Sequence, residues 1–398
     1  MSAAGARPLR LLMTLDAVGG VWRYAMDLAS ELKVQGVATV FVGFGPPPGG
    51  SERRQAQAIG ELVWLDESLD WLCEGPQALS GVGPALSRLA EIHNVDVLHL
   101  NLPTQAVGLD TARPVLVVSH SCVPTWFAAV RGSGPPQGWD WHVAMNREGL
   151  LRADAVVSPS ASHARALGFT YGAEIKATVV ENATRLNETI LPRDQRVFAA
   201  GRWWDEGKNG AMLDEAAAMA LWSVEMAGPL TGPNGQSLTL SHAKGLGVLP
   251  HCGAMARLAS AGIVASPSLY EPFGLAALEG ARSGAALVLS DIPTYRELWD
   301  DAALFAPPDD PQAFARAINR LTLDSDLRGE LGERARLRAR RFTPQAQADA
   351  MAALYWQLVD ARDPAVPAAK PTDSVSSSIM SRAGAGARAF LSPSSAAE

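Results

Sequence analysis

Short apolar runs rich in Val, Leu and Ile return along this chain with helical patterns between them. That recurrence constrains the fold more than any other feature. In the first half the runs are LRLLMTL (9–15), VATVFVGF (37–44), VDVLHL (95–100), VLVVS (115–119), AVVSPS (155–160) and ATVVE (177–181). In the second half they are RVFAA (196–200), WSVEMA (222–227), LGVL (246–249), GIVAS (262–266), ALVLS (286–290) and ALF (303–305). Their apolarity is continuous rather than alternating, the pattern of strands buried on both faces. Strands of that kind separated by helices form right-handed βαβ units and a parallel sheet. In the first intervening stretch, GGVWRYAMDLASELKVQG, Val21, Tyr24, Leu28 and Leu32 recur at helical spacing, and Gly36 supplies a C-cap.

A chain of 398 residues is long enough for two such units. The polar stretch ENATRLNETILPRDQ (181–195) lacks periodicity and contains Pro192, so the boundary is placed there. The division reads as 1–190 and 191–340, each an α/β doubly wound domain, followed by one more helix at 341–361. Residues 362–398, rich in Pro, Ser, Ala and Gly, read as a disordered tail. A net charge of −7 argues against a nucleic-acid partner held by a basic surface. Cys73, Cys122 and Cys252 are odd in number and form no CxxC pair, so neither a disulfide framework nor a zinc cluster is expected, and a reducing cytoplasm is the simple reading. No signal peptide or spanning run is visible in the sequence. Peripheral contact with a membrane surface is left open.

In doubly wound sheets, ligands bind where strands run out into helices, and four such junctions carry chemistry. In RVFAAGRWWDEGKNG, Arg202 and Lys208 place two cations between a strand and a helix, a pattern that suits a diphosphate and equally a solvated loop. In SPSLYEPFGLAALEGARSG, Phe273, Gly274 and Leu275 fall at the first turn of a helix, whose free N–H groups form an anion site. Glu271 precedes that helix and Glu279 lies within it; the pair reads as hydroxyl acceptors for a sugar and a ribose, or as a capping acid and a surface acid. Gly19-Gly20 joins the first strand to the first helix without completing a GxGxxG fingerprint. His120 closes VLVVSH and points to the same edge as a hydrogen-bond partner for a sugar or as a structural residue. There is no GxSxG elbow, HExxH or paired metal-ligand spacing.

Together these elements resemble the retaining glycosyltransferases of GT-B fold, family 4, over roughly residues 8–360. The most specific stretch is PSLYEPFGLAALEGARSGAALVLSDIPTYRELWDDAALFAPPDDPQAFARAI (267–318), with its E-x7-E element followed in order by REL and ALFAPPDDP. GRWWDEGKN is similar to the family's phosphate-binding Gly-Arg…Lys element, and GGVWRYAMDLASEL to its glycine loop and first helix. The resemblance implies two Rossmann-like domains facing a central cleft, with a C-terminal helix crossing back to the N-terminal domain. It implies a UDP- or GDP-linked sugar as donor, a glycan, lipid-linked or small-molecule acceptor, no cofactor and no metal. Arg202 and Lys208 would bind the diphosphate; Phe273, Gly274 and Leu275 would offer backbone contacts. Glu271 would hold the transferred sugar and Glu279 the ribose, while Gly19, Gly20 and His120 would approach from the other domain. A binding subunit without turnover, or a nucleotide-sugar epimerase, is the alternative. The chain departs from the family at the Arg202–Lys208 spacing, one residue longer than the commonest, and at VVENATR, where many members have Pro-Asn-Gly.

Overall fold

The computed structural model describes residues 8–185 and 192–362. The centre of the expected linker and nearly all of the expected tail lie outside the described residues. Within them, seven strands form the first sheet: β1 Arg10–Asp16, β2 Ala38–Phe44, β3 Glu61–Trp64, β4 Val97–Leu100, β5 Val115–Val118, β6 Ala155–Ser158 and β7 Ala177–Val179, in the order β3-β2-β1-β4-β5-β6-β7. Six more form the second: β8 Asp194–Ala200, β9 Ser223–Ala227, β10 Lys244–Gly247, β11 Ala261–Ser266, β12 Ala286–Ser290 and β13 Ala303–Ala306, in the order β10-β9-β8-β11-β12-β13. Every pairing in both sheets is parallel. In each half the chain winds outward from a central strand and then returns past it, which leaves a crevice at the strands' carboxyl ends.

All twelve apolar runs became strands. The sequence reading missed β3, an edge strand whose four residues are only half-buried or exposed. An edge strand has no second neighbour and needs no continuous apolar run. The period of two along each strand splits the core into two layers per sheet. Leu11, Met13 and Leu15 of β1 pack with Tyr24, Leu28, Met351 and Tyr355 on one face. Leu12 packs with Val42, Leu98 and Val117 on the other. In the second sheet Phe198, Val264 and Leu287 face one layer, while Val197, Ile263 and Val288 face the opposite one.

The first helix, Gly20–Val34, follows the expected periodicity, but its cap is Gln35; Gly36, the expected cap, lies one residue beyond it, with φ +83°. The last helix, Pro344–Arg362, starts three residues later than expected. It follows the second sheet in sequence but packs on the first, against helix Gly20–Val34, burying Met351 and Tyr355 completely. Tyr355 OH lies 2.6 Å from His99 Nδ1, and Gln347 Nε2 donates to Asn182 Oδ1 at 3.3 Å.

Further polar contacts join the two halves around the crevice. Glu297 accepts from the Ala161 and Ser162 backbone N–H groups at 2.8 and 2.6 Å, satisfying free donors at the start of helix Ala161–Tyr171. The REL element therefore acts as an anion for a helix of the other half. Ser160 Oγ donates to Pro272 O at 2.6 Å, and the Thr125 and Tyr270 hydroxyls are 2.8 Å apart. Tyr355→Phe should lower the unfolding free energy by roughly 1–3 kcal/mol, because it leaves a buried ring nitrogen of His99 without its hydroxyl. Urea unfolding followed by tryptophan emission checks this; an unchanged midpoint would show that the contact contributes nothing.

Candidate active site

β1 delivers Asp16 to the crevice, and the chain turns through Gly19 into the first helix. Asp16 Oδ1 accepts from the Val18 N–H at 2.9 Å, which shapes this turn. The two glycines lie close to the other half. A Cβ on Gly19 would lie 3.0 Å from Arg202 Nη1, and one on Gly20 would lie 3.6 Å from Leu275 Cδ1. The structure thus brings Gly19, Gly20, Arg202 and Leu275 to one place. Arg202 itself leaves β8 and donates to Asp205 Oδ2 at 3.1 Å.

Lys208 sits in a single 3₁₀ turn, Glu206–Lys208, just ahead of helix Gly210–Ala217. Its ammonium pairs directly with Glu271 across the β8 and β11 loops, and Ser268 Oγ donates to the same Glu271 oxygen at 3.2 Å. Cation and carboxylate were read from separate motifs; here they form one unit, with both side chains mostly buried. Next to it, Gly274 caps helix Leu275–Arg282 with φ +92°. Glycine is required twice over, since a Cβ would also meet the Tyr295 ring at 2.7 Å. Phe273 anchors the turn from below, buried edge-on against Phe342 at 5.5 Å. Its backbone reaches the turn while its side chain belongs to the core.

Glu279 lies on the same helix and is buried, facing Arg23 and Asp27 of the first helix. Burial pushes its carboxyl up to about 7; Arg23 works against that shift and Asp27 adds to it. It is therefore no surface acid.

His120 follows β5, and its Nε2 lies 2.8 Å from Asn101 Oδ1. The same oxygen lies 3.1 Å from His99 Nε2. An amide oxygen only accepts, so both imidazoles carry their hydrogen on Nε2 and keep Nδ1 as an acceptor. For Asn101 this orientation is supported by its Nδ2 donating to Thr14 O at 2.5 Å. Burial pushes the His120 pKa down to about 3, with His99 and His163 adding to the effect, so the ring is neutral near pH 7.

A cavity of about 650 Å³ opens between the halves, lined by Gly19, Gly20, His120 and Arg202 among the expected residues. Glu271 lines a smaller neighbouring cavity of about 270 Å³, with Tyr270 and Pro272. Lys208, Phe273, Gly274, Leu275 and Glu279 line neither. Sequence reading missed Asp16, Asp70, Asn101 and the ring wall of Trp71, Trp126 and Trp139, all of which line the larger cavity. Asp16 carried a signal, an acid ending an apolar run, but the others sit in loops with no shared spacing. Among the described residues no group of three or more His, Cys, Asp or Glu is arranged to hold a metal ion, and no helix is long and apolar enough to cross a membrane.

The chain matches two family models: Glycosyltransferase Family 4 over residues 18–188 and Glycosyl transferases group 1 over residues 242–338. A D-inositol 3-phosphate glycosyltransferase of Corynebacterium jeikeium (strain K411) is 39% identical over 101 residues, 25% of this chain and 24% of that protein. One from Saccharomonospora viridis is 34% identical over 98 residues, 24% of this chain and 23% of that protein. The chain thus matches about a quarter of the length of these curated relatives. Among solved structures, sucrose-phosphate synthase (tll1590) from Thermosynechococcus elongatus superposes with TM-score 0.75 at 18% identity, covering 89% of this chain and 100% of that one. Anabaena Alr3699/HepE in complex with UDP-glucose gives TM-score 0.69 at 16% identity, over 88% of this chain and 100% of that one. At these identities the likeness shows the fold, two facing doubly wound domains with a helix crossing back.

Replacing Glu279 with Gln should stabilise the chain in a pH-dependent way. A carboxyl whose folded pKa stands near 7 against 4.5 costs nothing below pH 4.5, a growing amount between 4.5 and 7, and a constant amount above. The ceiling is roughly 3 kcal/mol. Urea midpoints of wild type and Glu279→Gln should coincide at pH 4.5 and diverge by pH 8; parallel curves would mean that burial does not perturb the group.

Proposed function

We infer function from one premise: this chain belongs to the family 4 glycosyltransferases of GT-B fold. The proposed activity is transfer of a sugar from a nucleotide-diphosphate sugar to a hydroxyl acceptor, with retention and without a metal. The observation that carries it is the Lys208–Glu271 pair beside the Gly274 helix end, with Arg202 and the Gly19-Gly20 turn close by on the cleft. That arrangement sets two cations and a positive helix end where a diphosphate would lie, and a carboxylate where sugar hydroxyls would lie. The donor class also draws support from the UDP-glucose complex of the Anabaena relative.

In the proposed step the bond from the anomeric carbon to the diphosphate oxygen breaks and its electron pair leaves with the diphosphate. The acceptor oxygen forms the new bond on the same face, and its proton passes to the departing phosphate oxygen. Charge grows on the diphosphate as the bond breaks. Arg202, Lys208 and the free N–H groups after Gly274 are fixed in advance to meet it, in a cleft that excludes water. Glu271 receives the sugar's hydroxyls; its pairing with Lys208 opposes a nucleophilic role, because a carboxylate held by an ammonium attacks poorly. Glu279 takes the ribose, and His120, neutral with Nδ1 as acceptor, takes a sugar hydroxyl.

A panel of nucleotide sugars read by thermal shift and by release of free nucleotide tests this reading. One member should raise Tm and be consumed, with turnover unchanged by EDTA. If no nucleotide sugar binds, the reading fails. Lys208→Ala should lower kcat/KM at least about a hundredfold, since it removes a diphosphate cation and strands Glu271 without its partner. Donor affinity should also rise with pH, because ribose hydroxyls donate to the ionised form of Glu279. Between pH 6 and pH 8 the donor Kd should tighten up to about tenfold, the ratio set by a group titrating near 7. Calorimetry in both wild type and Glu279→Gln checks it; a pH dependence that survives in the variant would assign it to Asp27 or His251 instead.

A further inference from the structure

Resting on the donor reading above, we propose that the large cavity takes an uncharged polyhydroxylated acceptor, a sugar ring or the neutral end of a glycan, and discriminates against phosphorylated ones. The donor diphosphate needs positive charge, which lies with Arg202, Lys208 and the Gly274 helix end. Of these only Arg202 lines the large cavity, and four of the five other charged residues that line it are acids: Asp16, Asp70, Asp205 and Glu206.

Asp16 and Asp70 are buried in its wall, at 7% and 2% exposure. Each of the two lining arginines has an acid of its own: Arg131 pairs with Glu206 at 2.5 Å, and Arg202, the cation assigned to the donor, pairs with Asp205 at 3.1 Å. Two carboxylates therefore exceed the local cations. A phosphate ester placed against them would meet like charge in a poorly solvated space.

The hydrogen-bonding inventory points the same way. Asp16 receives the Val18 and Gly19 N–H groups, and Asp70 receives the Thr104 hydroxyl at 3.2 Å and the Trp71 N–H, which leaves acceptor positions over from the about four on each carboxylate. His120 adds Nδ1. A wall rich in acceptors is completed by donors, and sugar hydroxyls donate; an ionised phosphate has only acceptors to offer.

Several aromatic rings also line the cavity. Trp71, Trp126, Phe127 and Trp139 come from the first half, and Trp204 from the second. Trp126 and Phe127 meet edge-on at 5.1 Å, and Phe127 and Trp139 at 6.2 Å. The Trp126 indole N–H donates to Asp205 Oδ1 at 3.0 Å, which fixes that ring across the cleft. Fixed ring faces suit the C–H face of a pyranose, while the carboxylates take its O–H edge. An alkyl chain would use the rings and leave the carboxylates without partners.

The wild-type chain is first given its donor alone, which tests the donor reading by thermal shift and nucleotide release. With that donor, matched acceptors are compared: maltose, cellobiose, methyl glucoside and myo-inositol against glucose 6-phosphate and myo-inositol 3-phosphate. At least one neutral acceptor should have a kcat/KM more than tenfold above every phosphorylated one. Trp139→Ala, at a ring already 36% exposed and so safe for folding, should raise the neutral acceptor's KM about tenfold. Asp70→Asn should also raise that KM and narrow the discrimination against phosphate. A wild type that uses a phosphate ester as well as its neutral partner overturns the proposal and leaves the donor reading intact. So does wild-type acceptor KM in both variants. If no acceptor is glycosylated, tryptophan emission titrated with the same compounds decides: no response to any neutral sugar overturns it.

Discussion

Parallel strands cannot be joined by tight turns, and the rest of this molecule depends on that constraint. Each strand must be carried back by a crossover, so every loop that leaves a carboxyl end emerges on one edge of its sheet. The two sheets face each other through those edges. Asp16 after β1, His120 after β5, Arg202 after β8 and Glu271 after β11 are all products of the same rule. Residues from distant parts of the chain thus share one crevice without any sequence relation between them.

That geometry also decides what could be read from the sequence. Continuous burial on two faces leaves a clear mark, so the apolar runs located every inner strand; of the exposed edges β3, β7 and β10 they missed β3. The Gly274 turn was legible because it is local: a glycine before a helix, with φ +92° and a ring 2.7 Å from where a Cβ would stand. Lys208 and Glu271 were each read as candidates from their own motifs, yet their pairing was not legible, since it arises only when the β8 and β11 loops lie side by side. Glu279 looked equally suited to a surface; packing of two helices across the cleft makes it buried. The aromatic wall was invisible for the same reason, as Trp71, Trp126 and Trp139 become neighbours of one cavity only after folding.

Three carboxyls illustrate how the site opposes the fold's stability. Asp16, Asp70 and Glu279 all have raised pKa values, with burial the largest cause in each; Asp70 reaches about 6 and Glu279 about 7. A buried carboxyl held by few partners destabilises the folded chain near neutral pH. By contrast Glu225, surrounded by Lys244 and Arg257 at 3.0 and 2.7 Å, has its pKa lowered despite its burial. The difference lies in the partners. Glu225 is satisfied by cations of the protein itself, whereas burial outweighs the partners of the other three.

The same logic extends to His120, whose orientation is set far away in sequence. Tyr355, on the last helix, lies against His99 Nδ1; His99 Nε2 then shares the Asn101 oxygen with His120 Nε2. The Asn101 oxygen fixes both rings, because an oxygen that only accepts requires each of them to donate to it. Tyr24 holds the His120 ring from the side, edge-on with centroids 4.3 Å apart. The helix that returns from the second domain therefore does more than close the core of the first. By burying one hydroxyl against His99, it seats the ring that shares the Asn101 oxygen with His120, while that oxygen holds the His120 hydrogen on Nε2.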